Sequence, residues 1–231
     1  MNRFKDESKH PIPLEDGARV VVVGGGPAGS FFAIRMLRTV KKRGKTIDLV
    51  IIEKKKELRF YQSSFSSAPR EGCAYCAGGI SPKLADALAQ GELTLPDEIL
   101  QGEVDSLTLH GDWKSIELPI PPGRKMTSVF RGAGFKNWPE RHMNFDAFVL
   151  EKALEEGARV VTGEVLDMDY SQSGKPILAY RASEGAGEPV QHMEADFAVF
   201  AGGVNRTPGI TLENDSNSKF LERHIPGFRP P

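Results

Sequence analysis

An α/β fold built on a parallel sheet is predicted by three features that follow one another along the chain. Val20 to Val23 is a run of four β-branched residues, the pattern of a strand covered on both faces. Gly24, Gly26 and Gly29 come next with the spacing G-x-G-x-x-G. A second apolar run, Thr46 to Ile52, then ends on the acidic Glu53. Strand, glycine turn, helix, strand and acid in this order describe the first half of a Rossmann-type dinucleotide-binding fold.

Each glycine of the turn has a separate task. Gly24 makes the turn, Gly26 lets a pyrophosphate approach the backbone, and Gly29 lets helix and strand pack closely. Pro27 stands in the first helical turn, where its missing N–H costs little. Behind it, Ala28, Phe31, Phe32, Ile34, Met36, Leu37 and Val40 give an apolar face, with Arg35, Arg38, Lys41 and Lys42 for the wet side. Gly44 ends this helix. The helix start carries free N–H groups and the positive end of a dipole, both suited to phosphate. Glu53 follows roughly twenty residues beyond the glycines, where a carboxylate accepts both hydroxyls of an adenosine ribose. The lysines at 54–56 read as a solvated turn, because Glu53 would repel the extra phosphate of NADP.

Composition narrows the function classes. The chain has 231 residues with 30 basic and 31 acidic side chains, and the basic ones are scattered. Neither nucleic acid nor an anionic membrane is therefore an expected partner. No apolar run approaches the ~20 residues of a spanning helix. The first 17 residues are charged and proline-containing, without the apolar core of a signal peptide, and read as a loose arm. Two cysteines make no disulfide framework, so a reducing, cytoplasmic setting is expected.

Cys73 and Cys76 form a single C-x-x-C within Gly72 to Pro82. Zinc needs four ligands, and no second pair accompanies this one. Two small residues lining a binding loop, or a redox dithiol beside a bound dinucleotide cofactor, both remain open for it. Cys76, nearer Gly78 and Gly79, is the better site candidate. Ser81 and Pro82 cap and start a helix with Leu84, Ala85, Ala87 and Leu88 on its apolar face, and Gly91 stops it.

Asp105 to Pro119 alternates around His110-Gly111-Asp112 as a hairpin, and Met126 to Phe130 reads as another strand. Asn144 caps a helix running from Phe145 to Gly157. Ala158 to Thr162 forms a short strand, and Gly163 to Met168 continues after it. Ile177 to Ala182 and Val190 to Met193 pair as a hairpin. Ala195 to Gly203 reads as a buried strand running into glycines at the carboxyl edge of the sheet, where such folds bind ligands.

These segments together resemble the N-terminal part of geranylgeranyl reductase-like flavoproteins, within the wider group of FAD-dependent hydroxylases built like p-hydroxybenzoate hydroxylase. The resemblance rests on G-G-G-P-A-G (24–29), Glu53, C-A-G-G-I-S-P (76–82), R-x-x-x-F-D (141–146), G-A-R-V-V-T-G-E-V (157–165) and A-D-F-A-V-F-A-G-G-V-N (195–205). It implies FAD as cofactor, with NAD(P)H as an electron donor. Gly24, Gly26, Pro27, Ala28 and Gly29 would meet the pyrophosphate, and Glu53 with Lys54 the adenosine side. Arg141 would reach the phosphates or ribityl chain, and Val165 would lie against the adenine. Cys76 and Gly78 would line the flavin or substrate side, with Cys76 the sole catalytic candidate.

Two departures go with the resemblance. Gly202 stands where the family usually has Asp, and the family's later Gly-Asp motif is missing, the chain ending at Pro230-Pro231. The expected layout is an arm (1–17), two parts of the FAD domain (18–103 and 140–210), an inserted strand-rich segment (104–139) and the start of a substrate domain (211–231). The implied activity is hydride delivery from reduced flavin to a carbon–carbon double bond of an isoprenoid. Hydroxylation of an aromatic substrate, and a non-catalytic nucleotide-binding fragment, are the rival expectations. An incomplete sheet would leave apolar surface exposed and favour self-association or pairing with a missing C-terminal half.

Overall fold

The computed structural model describes residues 13–54, 78–91, 93–131, 144–182 and 188–203. Its centre is a six-stranded sheet with the order β10-β9-β8-β2-β1-β11. These strands are β1 (Ala18–Val23), β2 (Ile47–Glu53), β8 (Arg159–Tyr170), β9 (Pro176–Ala182), β10 (Val190–Glu194) and β11 (Phe197–Phe200). β11, β1, β2 and the first residues of β8 run parallel, whereas β8, β9 and β10 pair antiparallel. The expected α/β fold is present.

Alternation along β1 and β2 assigns their side chains to two faces. Val20, Val22, Leu49 and Ile51 face the helices α1 (Pro27–Lys42) and α3 (Phe145–Glu155), where Ala33, Ile34, Phe145, Phe148 and Leu150 close the core. Val21, Val50 and Ile52 face the other way and pack against Val165, Leu178 and Tyr180 of β8 and β9. The antiparallel wing therefore covers the face that the helices leave open.

Short pieces complete the helical side. β3 (Gly79–Ile80), β4 (Leu100–Val104) and β7 (Met126–Val129) form a three-stranded sheet in the order β3-β7-β4. A 3₁₀ turn over Asp97–Ile99 leads into β4, and Ile80, Ile99 and Val129 enter the main core. Helix α2 (Pro82–Gln90) has the expected ends: Ser81 Oγ accepts from the Leu84 N–H, and Gly91 caps it. Asn144 caps α3 by accepting from the amides of Asp146 and Ala147 at 2.8 and 3.1 Å.

Several expectations change here. The short strand expected over Ala158 to Thr162 extends through the segment after it as one twelve-residue strand, β8, parallel to β2 at its start and antiparallel to β9 afterwards. β4 was not expected, and it pairs antiparallel with β7. β11 is not buried as expected. Among the described strands it pairs with β1 alone, and Phe197 and Phe200 are exposed. Arg38 does not belong to a wet face: its guanidinium bonds Glu156 at 2.6 Å and also the Gly91 carbonyl, joining α1 to the ends of α2 and α3. The end of the expected arm is tied down, with Gly17 donating to the Thr46 carbonyl and Asp16 accepting from Thr46.

The expected hairpin is formed by β5 (Ser106–His110) and β6 (Ser115–Pro119). Leu107 faces Leu118 and Leu109 faces Ile116, and all four are exposed.

Candidate functional site

The site lies at the carboxyl edge of the parallel strands, where β1 turns into α1. The Gly24 N–H donates to the Ile52 carbonyl at 2.8 Å, which ties the turn to β2. Gly24 has φ +101, and a Cβ built on it would lie 2.6 Å from the Ala201 carbonyl oxygen just beyond β11. A side chain is therefore excluded twice, by backbone conformation and by the neighbouring strand end. A Cβ on Gly29 would lie 2.0 Å from the Gly24 carbonyl oxygen and 3.1 Å from Val22 Cγ1. Helix α1 can reach the strand this closely only with glycine there.

Gly26 is different. It is the N-cap of α1 with φ −67, and a Cβ added to it meets nothing within 4 Å. Gly202 also faces open space, next to the Gly24 position and just past β11. The N-cap residue Gly26 has no side chain to cap α1, its first turn carries no acid, and Pro27 occupies its first position. The open space thus borders a helix start whose amides and dipole favour an anion. Ala28 is exposed in this first turn.

Beneath the turn, Glu53 is 7% exposed and its Oε2 accepts the Gly25 N–H at 2.5 Å. The carboxylate expected at the ribose thus also braces the glycine turn. Lys54 is exposed beside it. Ser30, fully buried in α1, donates its hydroxyl to the Gly25 carbonyl at 2.9 Å and its N–H to the Gly26 carbonyl at 3.0 Å. Sequence reasoning passed over Ser30. Its signal was a small hydroxyl residue directly after the third glycine, on the helix face shared with Ala33 and Ile34.

The structure brings together Gly24, Gly26, Pro27, Ala28, Gly29, Glu53, Lys54 and Gly202. Of the other candidates, Val165 and Gly78 are described, and their contacts lie elsewhere. Val165 is 3% exposed, its side chain packed in the second core cluster with Leu178 and Tyr180. Gly78, with φ +67, has its Cα so close to β7 that a Cβ would lie 1.9 Å from the Val129 carbonyl oxygen. Its visible task is to pack β7. Arg141, Cys73 and Cys76 lie outside the described residues. In the described part of R-x-x-x-F-D, Asp146 takes a two-pronged bond from Arg131 at 2.7 and 2.9 Å, a partner that no sequence pattern singled out.

Charge elsewhere is structural. At the amino edge of the sheet, Asp48 accepts from Arg19 at 2.8 Å and Arg159 at 2.6 Å, bridging β1, β2 and β8. Partial burial works to raise the Asp48 pKa, but the bonds from Arg159 and Arg19 outweigh it and hold the carboxyl below its ordinary value. Asp196 is held low by the Lys175 ammonium and the Arg19 N–H. Among the described residues there is no group of three or more His, Cys, Asp or Glu placed to hold a metal ion. No described helix is long and apolar enough to cross a membrane.

No protein-family model matches this chain. It is similar to the chloroplastic geranylgeranyl diphosphate reductases of Nicotiana tabacum (28% identical over 199 residues) and Arabidopsis thaliana (26% over 194 residues). Each match covers 81% of this chain but 34% of the reductase, so the chain spans about a third of the length of these relatives. Among solved structures, the OxyS anhydrotetracycline hydroxylase from Streptomyces rimosus is similar at a TM-score of 0.52 and 16% identity, over 80% of this chain and 31% of that one. A triple mutant of the flavin-dependent brominase Bmp2 gives 0.50 at 19% identity, over 88% of this chain and 40% of its own. At these identities the structural likeness is one of fold.

Proposed function

We propose that this chain is the adenosine-diphosphate-binding part of an FAD-dependent oxidoreductase of the geranylgeranyl reductase type. The observation that carries this is the turn from Gly24 to Ser30, open at Gly26, with a glycine as the N-cap of α1 and the Glu53 carboxylate bonded to Gly25. The two reductases similar to this chain supply the chemical class.

In this proposal the pyrophosphate lies over Gly26, Pro27, Ala28 and Gly29, with the α1 dipole balancing its charge. Glu53, at the end of β2, accepts the ribose hydroxyls. Lys54 screens the outer edge of the site. Gly202 lets the cofactor pass over the end of β11, since any side chain there would enter the open space. Arg141 supports the phosphates, and Gly78 and Cys76 belong to the flavin side. Bound reduced flavin would supply the hydride for a polarised or isoprenoid double bond, with NAD(P)H as its source of electrons. The proposed domain layout keeps 18–103 and 140–210 as the cofactor unit. Its exposed apolar hairpin and β11, an edge among the described strands, favour association with a second copy or with further sheet. A cytoplasmic location is proposed on the low cysteine count alone, although both similar reductases are chloroplastic.

Aromatic hydroxylation is the second reading, favoured by the fold shared with the anhydrotetracycline hydroxylase. Titration of the purified chain with FAD and with ADP tests the common premise. Saturable binding of both, near one per chain, is expected; a protein that takes up neither removes the proposal. Flavin-loaded protein then divides the two readings: anaerobic reduction of an isoprenoid alkene supports the reductase, and NAD(P)H-dependent oxygen uptake with a phenol supports the hydroxylase.

A further inference from the structure

Among the described residues, the buried polar or charged side chains are Ser30, Glu53 and Asn144. Asn144 caps α3, but the other two converge on a single residue, Gly25. Burying a hydroxyl or a carboxylate is unfavourable unless it is bonded, so two such groups aimed at the two peptides of one residue call for a reason. Three consecutive glycines supply it. The peptides between Gly24, Gly25 and Gly26 face almost no steric barrier to rotation, and a flipped 25–26 peptide would turn a carbonyl oxygen toward an incoming phosphate.

We propose that Ser30 is a positioning residue that sets the Gly26 N–H toward the cofactor's pyrophosphate; this rests on the FAD reading above. The hydroxyl of Ser30 holds the Gly25 carbonyl at 2.9 Å and its N–H holds the Gly26 carbonyl at 3.0 Å. Both oxygens are thereby drawn back into the start of α1. In a planar trans peptide the N–H points opposite to the C=O, so the Gly26 N–H is directed away from Ser30. Gly26 itself borders open space, since a Cβ built on it meets nothing within 4 Å. Glu53 completes the clamp by holding the Gly25 N–H from β2. The turn is thus oriented before the ligand arrives, which lowers the ordering cost of binding.

The test compares wild type, Ser30→Ala and Ser30→Cys, with Asn144→Ala as a control for general destabilisation. ADP dissociation constants are measured calorimetrically where each protein is folded, alongside thermal midpoints. The expected result is about tenfold weaker ADP binding for both Ser30 variants, equivalent to about 1.4 kcal/mol. Asn144→Ala should lower the midpoint with the ADP affinity unchanged. Ser30→Cys nearly keeps the side-chain volume but is a weak donor, so it reports on the bond if Ser30→Ala fails to fold. Wild-type ADP affinity in a folded Ser30 variant would overturn the positioning role while leaving the FAD reading intact. A similar loss in Asn144→Ala would overturn it as well, by showing that loosening alone weakens the site. Failure of wild type to bind ADP would remove the FAD reading and this inference together.

Discussion

Substituting alanine at Gly26 and at Gly29 should separate binding from folding within one turn. At Gly29 the added Cβ would lie 2.0 Å from the Gly24 carbonyl oxygen, whereas real Cβ contacts stay beyond 3.0 Å. The start of α1 or the turn must therefore shift by about 1 Å, with Val22 Cγ1 only 3.1 Å from the same Cβ. Overpacking of this kind costs about 3 kcal/mol, and alanine's better helix propensity returns about 1 kcal/mol. The net loss of about 2 kcal/mol corresponds to a fall of roughly 4–8 °C in thermal midpoint for a chain of this size. At Gly26 the backbone conformation suits any residue and the space is open, so stability should stay within about 0.5 kcal/mol. Its methyl group would instead stand where the pyrophosphate passes, and ADP binding should weaken at least about tenfold, a difference of about 1.4 kcal/mol. Differential scanning calorimetry with and without ADP reads both effects. A Gly26→Ala protein that binds ADP like wild type would refute the placement of the ligand, and an unchanged midpoint for Gly29→Ala would refute the packing argument.

Two further outcomes follow from the same geometry. Gly78→Ala should be more damaging than Gly29→Ala, since it combines φ +67 with a contact of 1.9 Å to the Val129 carbonyl; a loss above about 3 kcal/mol in chemical denaturation is expected. Asp48→Asn should act on the acid limb of stability. Because Arg159 and Arg19 hold the Asp48 pKa below its unfolded value, the carboxylate contributes fully above the ordinary value of about 3.9 and loses its contribution as pH falls through the lowered one. Wild type should exceed the variant by up to about 1 kcal/mol at pH 7, given the exposure of both arginines, and the two should converge in acid.

The central α/β unit was legible because its signals are local. Four valines, three glycines at fixed spacing, and caps at Ser81 and Asn144 each act within a few residues, and each element formed where those signals placed it. What stayed hidden depends on partners far away in sequence. β4 has the weakly patterned sequence Leu100-Gln101-Gly102-Glu103-Val104 and exists because β7 offers it a pairing edge. Arg38 looks like a solvent residue until Glu156 and Gly91 arrive beside it. The apolar sequence of β11 suggested burial, but apolar composition cannot say whether a strand has neighbours on one side or two. In the site, the glycine turn was readable as a ligand-binding device, whereas the second task of Glu53 and the whole task of Ser30 required the tertiary contact at Gly25.

This division bears on how the site comes into being. The glycine signature occupies a few consecutive residues, yet three of its restraints come from outside it. The Ile52 carbonyl and Glu53 reach it from β2, and the Ala201 backbone reaches it from the end of β11, which bonds the Val23 carbonyl at 2.8 Å. Closing the β1–β11 pair spans most of the described chain, and long-range parallel pairing forms late because loop closure must come first. An isolated peptide of β1, α1 and β2 would hold the glycines without Ala201 to fix Gly24. The turn's chemistry is written locally, but its rigidity is a property of the assembled sheet. The restraint on Gly24 should therefore be lost whenever β11 detaches, while the bonds from Ser30 and Glu53 that hold Gly25 and Gly26 persist.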